Sequence, residues 1–172
     1  GEENIAFELF KTLQLPVFNA VNNEHSFDFL NEAFGHYVRD NFRNHIEDAQ
    51  YMTPHELVDF MANMACVHFE KTDILSSRGE FIIMDPSCGV GSFLNAWRRY
   101  FNHVFKSSAN RPELKLIGQD KVERMVRLAS LNLIFAGEET IRIYNGNSLE
   151  DQSPISAWDG QVDLILTNPP FG

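Results

Sequence analysis

Four apolar runs of strand type constrain this chain more than any other feature: each meets a polar residue, and stretches of helical spacing lie between them. The first, Phe81-Ile-Ile-Met84, runs into Asp85. The second leads from Leu114 through Gly118 and Gln119 to Asp120. The third runs from Ile141 to Asn147, and the fourth, Val162 to Thr167, ends at Asn168. From about Ser92 to Phe105, residues Phe93, Leu94, Trp97, Tyr100, Phe101, Val104 and Phe105 recur with helical spacing. From Lys121, the residues Val122, Met125, Val126, Ala129, Leu133 and Ile134 do the same, and Gly137 stops the run. Strands alternating with helices predict an α/β fold, here four mainly parallel strands flanked by helices. Ligands of open α/β sheets bind outside the carboxyl ends of the strands. Asp85, Asp120, Asn147 and Asn168 are therefore expected at one site.

The turns at these tips differ in kind. Asp85-Pro-Ser-Cys-Gly-Val-Gly-Ser-Phe93 joins strand to helix through Gly89 and Gly91, which let the backbone turn tightly and approach a ligand. The third glycine of a dinucleotide fingerprint is missing, with Leu94 in its place, and there is no Gly-Lys-Ser/Thr phosphate loop. A carboxylate at the strand tip would repel a pyrophosphate; it suits a ligand with a positive group or hydroxyls. Asp120 can take the two hydroxyls of a ribose, cap the following helix, or do both. Asn147 and Ser148 can hydrogen-bond a base or simply close a turn. Pro169 and Pro170 have no N–H for a ladder, so the last strand must stop, and Pro169 also restricts Asn168. Asn168-Pro-Pro-Phe171 is thus a stiff holder for an amide, a carbonyl and an aromatic ring.

Upstream, the chain reads as helical. Residues 3–14 predict a short helix closed by Pro16. From about Ser26 to Asp48, Phe27, Leu30, Phe34, Tyr37, Val38, Phe42 and Ile46 share one helical face. Thr53 and Glu56 form a capping-box pattern with Pro54 at the first helical position, opening a helix through Leu57, Phe60, Met61, Met64 and Phe69. The expected organisation is an N-terminal helical segment over 1–49 and one ligand-binding domain over 50–172. The sheet is expected to continue beyond Gly172, leaving that domain incomplete at its C-terminus.

A formal net charge of -10 argues against a self-sufficient nucleic-acid binder, and leaves a local basic face or a partner to supply the contacts. Two cysteines, Cys66 and Cys88, make no disulfide framework, so a reducing cytoplasm is expected. No apolar run approaches the roughly 18 residues of a membrane span, and no secretory signal is visible. The six histidines and two cysteines show no metal-ligand spacing, and no metal is expected.

On these residues, the chain resembles the amino-group DNA methyltransferases that use S-adenosylmethionine, particularly the modification subunits of type I restriction systems. Asp85 to Phe93 is similar to the family's cofactor loop and Asn168 to Phe171 to its catalytic loop. Gln50-Tyr-Met-Thr-Pro54, ahead of the cofactor loop, resembles the motif that defines the gamma order. Gly118-Gln-Asp120 and Gly146-Asn-Ser-Leu149 match two tip motifs between them. Cys88 and Val90 stand where Ala or Thr is commoner, Asp120 where Glu is, and Met52 where an aromatic is common. The resemblance spans about residues 50–172 and implies a Rossmann-like class I methyltransferase fold.

It also implies roles. Asp85 would lie near the methionine end of the cofactor, with the backbone of Ser87, Cys88, Gly89 and Gly91 passing close by. Asp120 would hold the ribose, Asn147 would contact the adenine, and Gln50, Tyr51, Met52 and Thr53 would close over the methionine end. Asn168, bordering the cofactor, and the Pro169 carbonyl would accept the hydrogens of a flipped target adenine, with Pro170 stiffening the loop and Phe171 stacked on the base. The implied activity is methyl transfer to adenine N6 in DNA, as the modification part of a restriction-modification system, leaving S-adenosylhomocysteine and needing no metal. DNA would be held through regions missing here or by a partner; a specificity subunit and a restriction subunit are implied. Later strands and a target-recognition domain are absent, so catalysis is expected to need them. Two alternatives stay open. One is methyl transfer to protein glutamine or RNA bases, against which Phe171 and Tyr51-Met-Thr-Pro54 favour DNA adenine. The other is a non-catalytic cofactor-binding or assembly module.

Overall fold

The computed structural model describes residues 53–70, 79–106, 111–138 and 140–170. The helices expected over 3–14 and 26–48, together with Gln50, Tyr51, Met52 and Phe171, lie outside the described residues.

The described elements are α1 (His55–Glu70), β1 (Glu80–Asp85), α2 (Ser92–Val104), β2 (Glu113–Asp120), α3 (Glu123–Phe135), β3 (Arg142–Asn145), a 3-10 helix (Pro154–Trp158) and β4 (Leu164–Ile165). The sheet order is β3-β2-β1-β4, and all three pairings are parallel. The chain steps outward from β1 to β3 and then returns to β1's other side as β4, so the order reverses between β1 and β4. Such a reversal opens a crevice at the carboxyl edge, the usual ligand position in open α/β sheets.

Alternation along β1 divides the core in two, because successive side chains point to opposite faces. Phe81 and Ile83 join Leu116 and Leu166 in a cluster with all three helices, through Val58, Ala62 and Cys66 of α1, Leu94, Trp97 and Phe101 of α2, and Ala129 and Leu133 of α3. Ile82 and Met84 join Ile117 and Ile155 of the 3-10 helix, with Tyr144, Trp158 and Val162 packed against them. Phe81 is the hub of the first cluster: its ring stacks on Trp97 at 5.5 Å and meets Phe69 edge-on at 5.0 Å. Burying a side chain such as Phe81 stabilises the fold by about 1.5–3 kcal/mol, and each such ring pair adds roughly 0.5–1.5 kcal/mol.

Several local expectations shift. α1 begins one residue later than the capping-box pattern predicts, because the Pro54 carbonyl accepts the N–H groups of Leu57 (3.0 Å) and Val58 (3.1 Å). Its buried face is Val58, Ala62 and Cys66, while Leu57, Phe60 and Met64 are exposed. The helix carries apolar residues on two faces, and the small side chains of one suit close packing on α2. Asp120 is not the cap of α3, which starts from Val122. β3 stops at Asn145 rather than Asn147: the Gly146 N–H on the Asp120 carbonyl at 3.1 Å completes the ladder with β2, and Asn147 lies in the turn beyond it. β4 is two residues long, bounded by its single neighbour β1, although Asp163 and Leu166 still donate to Ile82 and Met84 at 2.9 and 3.2 Å. Gly137 ends α3 as expected, with φ +87° and its N–H bonded to Ile134 at 2.9 Å.

Among the described residues, no helix is long and apolar enough to cross a membrane.

Candidate active site

The site grows from the end of β1. Asp85 is the strand's last residue and is 1% exposed. The chain then reverses over the carboxyl edge: Ser87 N–H donates to Asp85 Oδ1 (3.1 Å), Cys88 N–H to the Gln119 carbonyl (2.9 Å) and Gly89 N–H to Asp120 Oδ2 (2.9 Å). Gly91, at φ +80°, occupies the left-handed region that favours glycine, and a Cβ there would sit 3.4 Å from that of Ala129. α2 starts at once, with Asn95 N–H on the Gly91 carbonyl at 3.0 Å. Gly89 also has φ above zero, at +52°, and nothing lies within 4 Å of where its Cβ would be. The loop is therefore braced from below and open above, which is the shape a closely approaching ligand requires.

Gly118 explains how the loop sits so low. It pairs with Asp85, and a Cβ on it would come within 2.6 Å of Ile143 Cδ1 and 3.1 Å of Cys88 Sγ and Leu94 Cδ1.

The strand tips do not contribute equally. Asp120 spends one oxygen on Gly89 and the other on Val122 N–H (2.8 Å), so its carboxylate ties the cofactor-type loop to the start of α3. Ionised carboxylates have about four acceptor positions, so two remain for hydroxyls. Asn147 lies two residues beyond β3 in a turn, its Oδ1 accepting Leu149 N–H at 3.2 Å and its Nδ2 donating to Glu150 Oε1 at 3.3 Å. Ser148 donates to the Pro86 carbonyl and accepts from Gln119 Nε2 at 2.8 Å. Asn168, Pro169 and Pro170 are exposed at the mouth, and Asn168 Nδ2 donates to Thr53 Oγ1 at 3.1 Å.

Three contributors escaped the sequence reading. Thr167 Oγ1 lies 2.7 Å from Ser87 Oγ and also hydrogen-bonds Asp85, joining the β4 tip to the β1 loop. Gln119 is fully buried and also reaches Ser153 Oγ at 2.7 Å, so it anchors two loops beneath the site. Asn132 of α3, also buried, donates to the Val90 carbonyl at 3.0 Å. The hydroxyl before Asn168 and a glutamine inside an apolar strand were the available signals; Asn132 gave none.

Burial is the main force on the Asp85 carboxyl. It pushes the Asp85 carboxyl up to about 7, hydrogen bonds from Thr167 and Ser87 pull it back, and the nearby Asp120 charge pushes it further up. No cation pairs with Asp85 among the described residues. A buried carboxylate left without a counter-charge is costly, so the site favours a ligand with a positive group. Burial, reinforced by Asp85 and Asp120, also pushes the Cys88 thiol up, keeping it protonated and poorly nucleophilic at neutral pH. Among the described residues, no cluster of His, Cys, Asp and Glu could hold a metal ion.

A parallel β3-β2-β1-β4 sheet with an acid at the first two tips is the arrangement of Rossmann-like α/β folds, the class I S-adenosylmethionine-dependent methyltransferase fold among them. Accordingly, the chain aligns with the structure of a Listeria monocytogenes protein described as such a methyltransferase, at TM-score 0.55 and 16% identity, covering 83% of this chain and 39% of that one. The sequence model of the N-6 DNA Methylase family matches residues 25–172, and the chain belongs to that family. Its relatives include the type I restriction enzyme EcoEI methylase subunit of Escherichia coli, 31% identical over 88% of this chain and 31% of that protein. The methyltransferase subunit of a Streptococcus thermophilus type I restriction-modification system superposes with TM-score 0.54 at 25% identity, over 86% of this chain and 29% of its own. The chain thus spans less than a third of the length of either subunit. The family match begins ahead of residue 50, the expected start of the ligand-binding domain.

Proposed function

We propose that residues 50–172 form the cofactor-binding and catalytic part of a DNA adenine-N6 methyltransferase acting in restriction-modification, with 1–49 as a helical segment before it. The observation that carries this reading is the joining of Asp85 to the loop of Asn168 through Thr167 and Ser87, at the sheet's switch point. That join sets a buried carboxyl without a counter-charge close to the stiff loop that carries the Asn168 amide. The resident group this fits is S-adenosylmethionine, which supplies a methyl group on a sulfonium and leaves S-adenosylhomocysteine.

The chain's own residues then divide the work. Asp85 takes the ammonium of the methionine end, and the backbone from Ser87 through Cys88 and Gly89 to Gly91 borders the cofactor. Asp120 accepts the ribose hydroxyls with its free lone pairs, and Asn147 offers its remaining amide hydrogen to the base. Gln50, Tyr51, Met52 and Thr53 precede α1 and border the methionine end in this reading, with the Thr53 hydroxyl turned to Asn168. Adenine N6 is a poor nucleophile because its lone pair is delocalised into the ring. The Asn168 oxygen and the Pro169 carbonyl accept its two hydrogens and draw the nitrogen toward a tetrahedral shape, which frees the lone pair. Pro170 keeps those acceptors fixed and Phe171 stacks on the flipped base. Methyl transfer there would break the sulfonium S–C bond as the N–C bond formed, and the nitrogen would then shed one proton to solvent. Positioning and preorganised acceptors supply the rate.

The acidic chain needs other regions or partners to hold DNA, and the proposal includes a specificity subunit and a restriction subunit. Calorimetric titration with S-adenosylmethionine, S-adenosylhomocysteine and NAD tests the site: saturable binding of the first two alone is expected. Asn168→Ala in the assembled enzyme is expected to cut methyl transfer to unmethylated DNA at least a hundredfold with cofactor affinity retained; transfer at the parent rate would refute the catalytic assignment.

A further inference from the structure

The Asn168 amide has two unlike ends, and only its oxygen can accept a hydrogen from a target amine. Its Nδ2 donates to Thr53 Oγ1 at 3.1 Å, across 115 residues of chain. We infer that Thr53 is a positioning residue, whose hydroxyl takes the Asn168 N–H and so presents Oδ1 to the target amine. This rests on the reading of Asn168 given above, and deepens it.

Two observations support the assignment. The bond to Asn168 is the one hydrogen bond of the Thr53 hydroxyl among the described residues, and the Pro54 carbonyl accepts the Leu57 and Val58 N–H groups of α1. The backbone of the catalytic loop is anchored independently, through Thr167 on Ser87 and Asp85, and is stiffened by Pro169 and Pro170. What remains free at Asn168 is rotation of its side chain, whose terminal torsion is broad and roughly two-fold. A hydroxyl can accept from Nδ2 or donate to Oδ1; the setting seen, with Thr53 accepting, is the one that leaves Oδ1 free for the target amine. Without that hydroxyl, an exposed amide can turn and offer its NH2 where an acceptor is needed.

The test is single-turnover methyl transfer to unmethylated DNA by the enzyme assembled with its partners, with S-adenosylmethionine affinity measured in parallel. Thr53→Val should slow transfer about tenfold, the scale of one lost hydrogen bond, while leaving cofactor affinity within about twofold. Thr53→Ser should restore most of the rate. Weaker cofactor binding with an unchanged transfer rate would overturn the inference and put Thr53 on the cofactor; no change in either quantity, or no rescue by Ser, would also overturn it. Should Thr53→Val fail to fold in a thermal melt, Thr53→Ala carries the same comparison. An Asn168→Ala enzyme that stays active defeats the function proposed above, a result read separately from any behaviour of Thr53.

Discussion

Asp85 is a carboxyl that the fold discourages from ionising. Its folded pKa of about 7 stands above an ordinary 3.8, so the folded protein binds this proton more tightly than the unfolded chain does. The stabilisation linked to that proton is complete below about pH 4 and is lost as pH rises through 7. Asp85→Asn removes the charge and keeps the size. It should raise the melting temperature at pH 8 and change it little at pH 4, as thermal melts at both values would show. The same variant should weaken S-adenosylmethionine binding at pH 8 by about tenfold or more, because the bound ammonium loses its counter-charge. In the parent protein, affinity should fall as pH drops from 7 to 5.5, with a proton released on binding; calorimetry in buffers of different ionisation heat reads that proton. A flat affinity over this range would remove Asp85 as the ammonium's partner.

At the scale of elements, β1 and α2 act as one unit. β1 is buried from Phe81 to Asp85, and α2 presents Phe93, Leu94, Trp97 and Phe101 to the core. The turn between them is the proposed ligand loop, so packing errors in this pair should reach the site. Trp97 is fully buried, and its Nε1 has no hydrogen-bond partner among the described residues. Trp97→Ala should cost about 3–5 kcal/mol, a large share of the 5–15 kcal/mol typical of a domain. Trp97→Phe should cost far less, since it keeps the stack on Phe81 and deletes an unpartnered N–H. Urea unfolding of the two variants distinguishes them, and equal losses would mean that the indole nitrogen is satisfied in solution.

At the scale of the molecule, charge and topology pull apart. The proposed activity needs a base inside a duplex, while a net charge of -10 repels the phosphates that surround a base. This chain alone is therefore expected to show no sequence-selective DNA binding. A selective, salt-resistant gel shift with the isolated chain would contradict that. The assembled enzyme should bind its site with an affinity that falls steeply with salt, through contacts made elsewhere.

The sequence by itself determined the alternation of strand and helix, the parallel sheet, and the acids that end its first two strands. Those depend on apolar periods of about two and 3.6, on glycines that permit a turn and on prolines that end a strand, all of which are local. The tertiary structure alone decided that α1 buries Val58, Ala62 and Cys66 rather than Leu57, Phe60 and Met64, and that Asn147 sits in a turn past β3. It also decided that Asp120 braces Gly89, that Thr167 joins Ser87 and Asp85, and that Thr53 meets Asn168. The contacts of Asp120, Thr167 and Thr53 join segments far apart in the chain. The sheet's register and the helix chosen to cover each face set them, and neither is encoded in the spacing of any one segment.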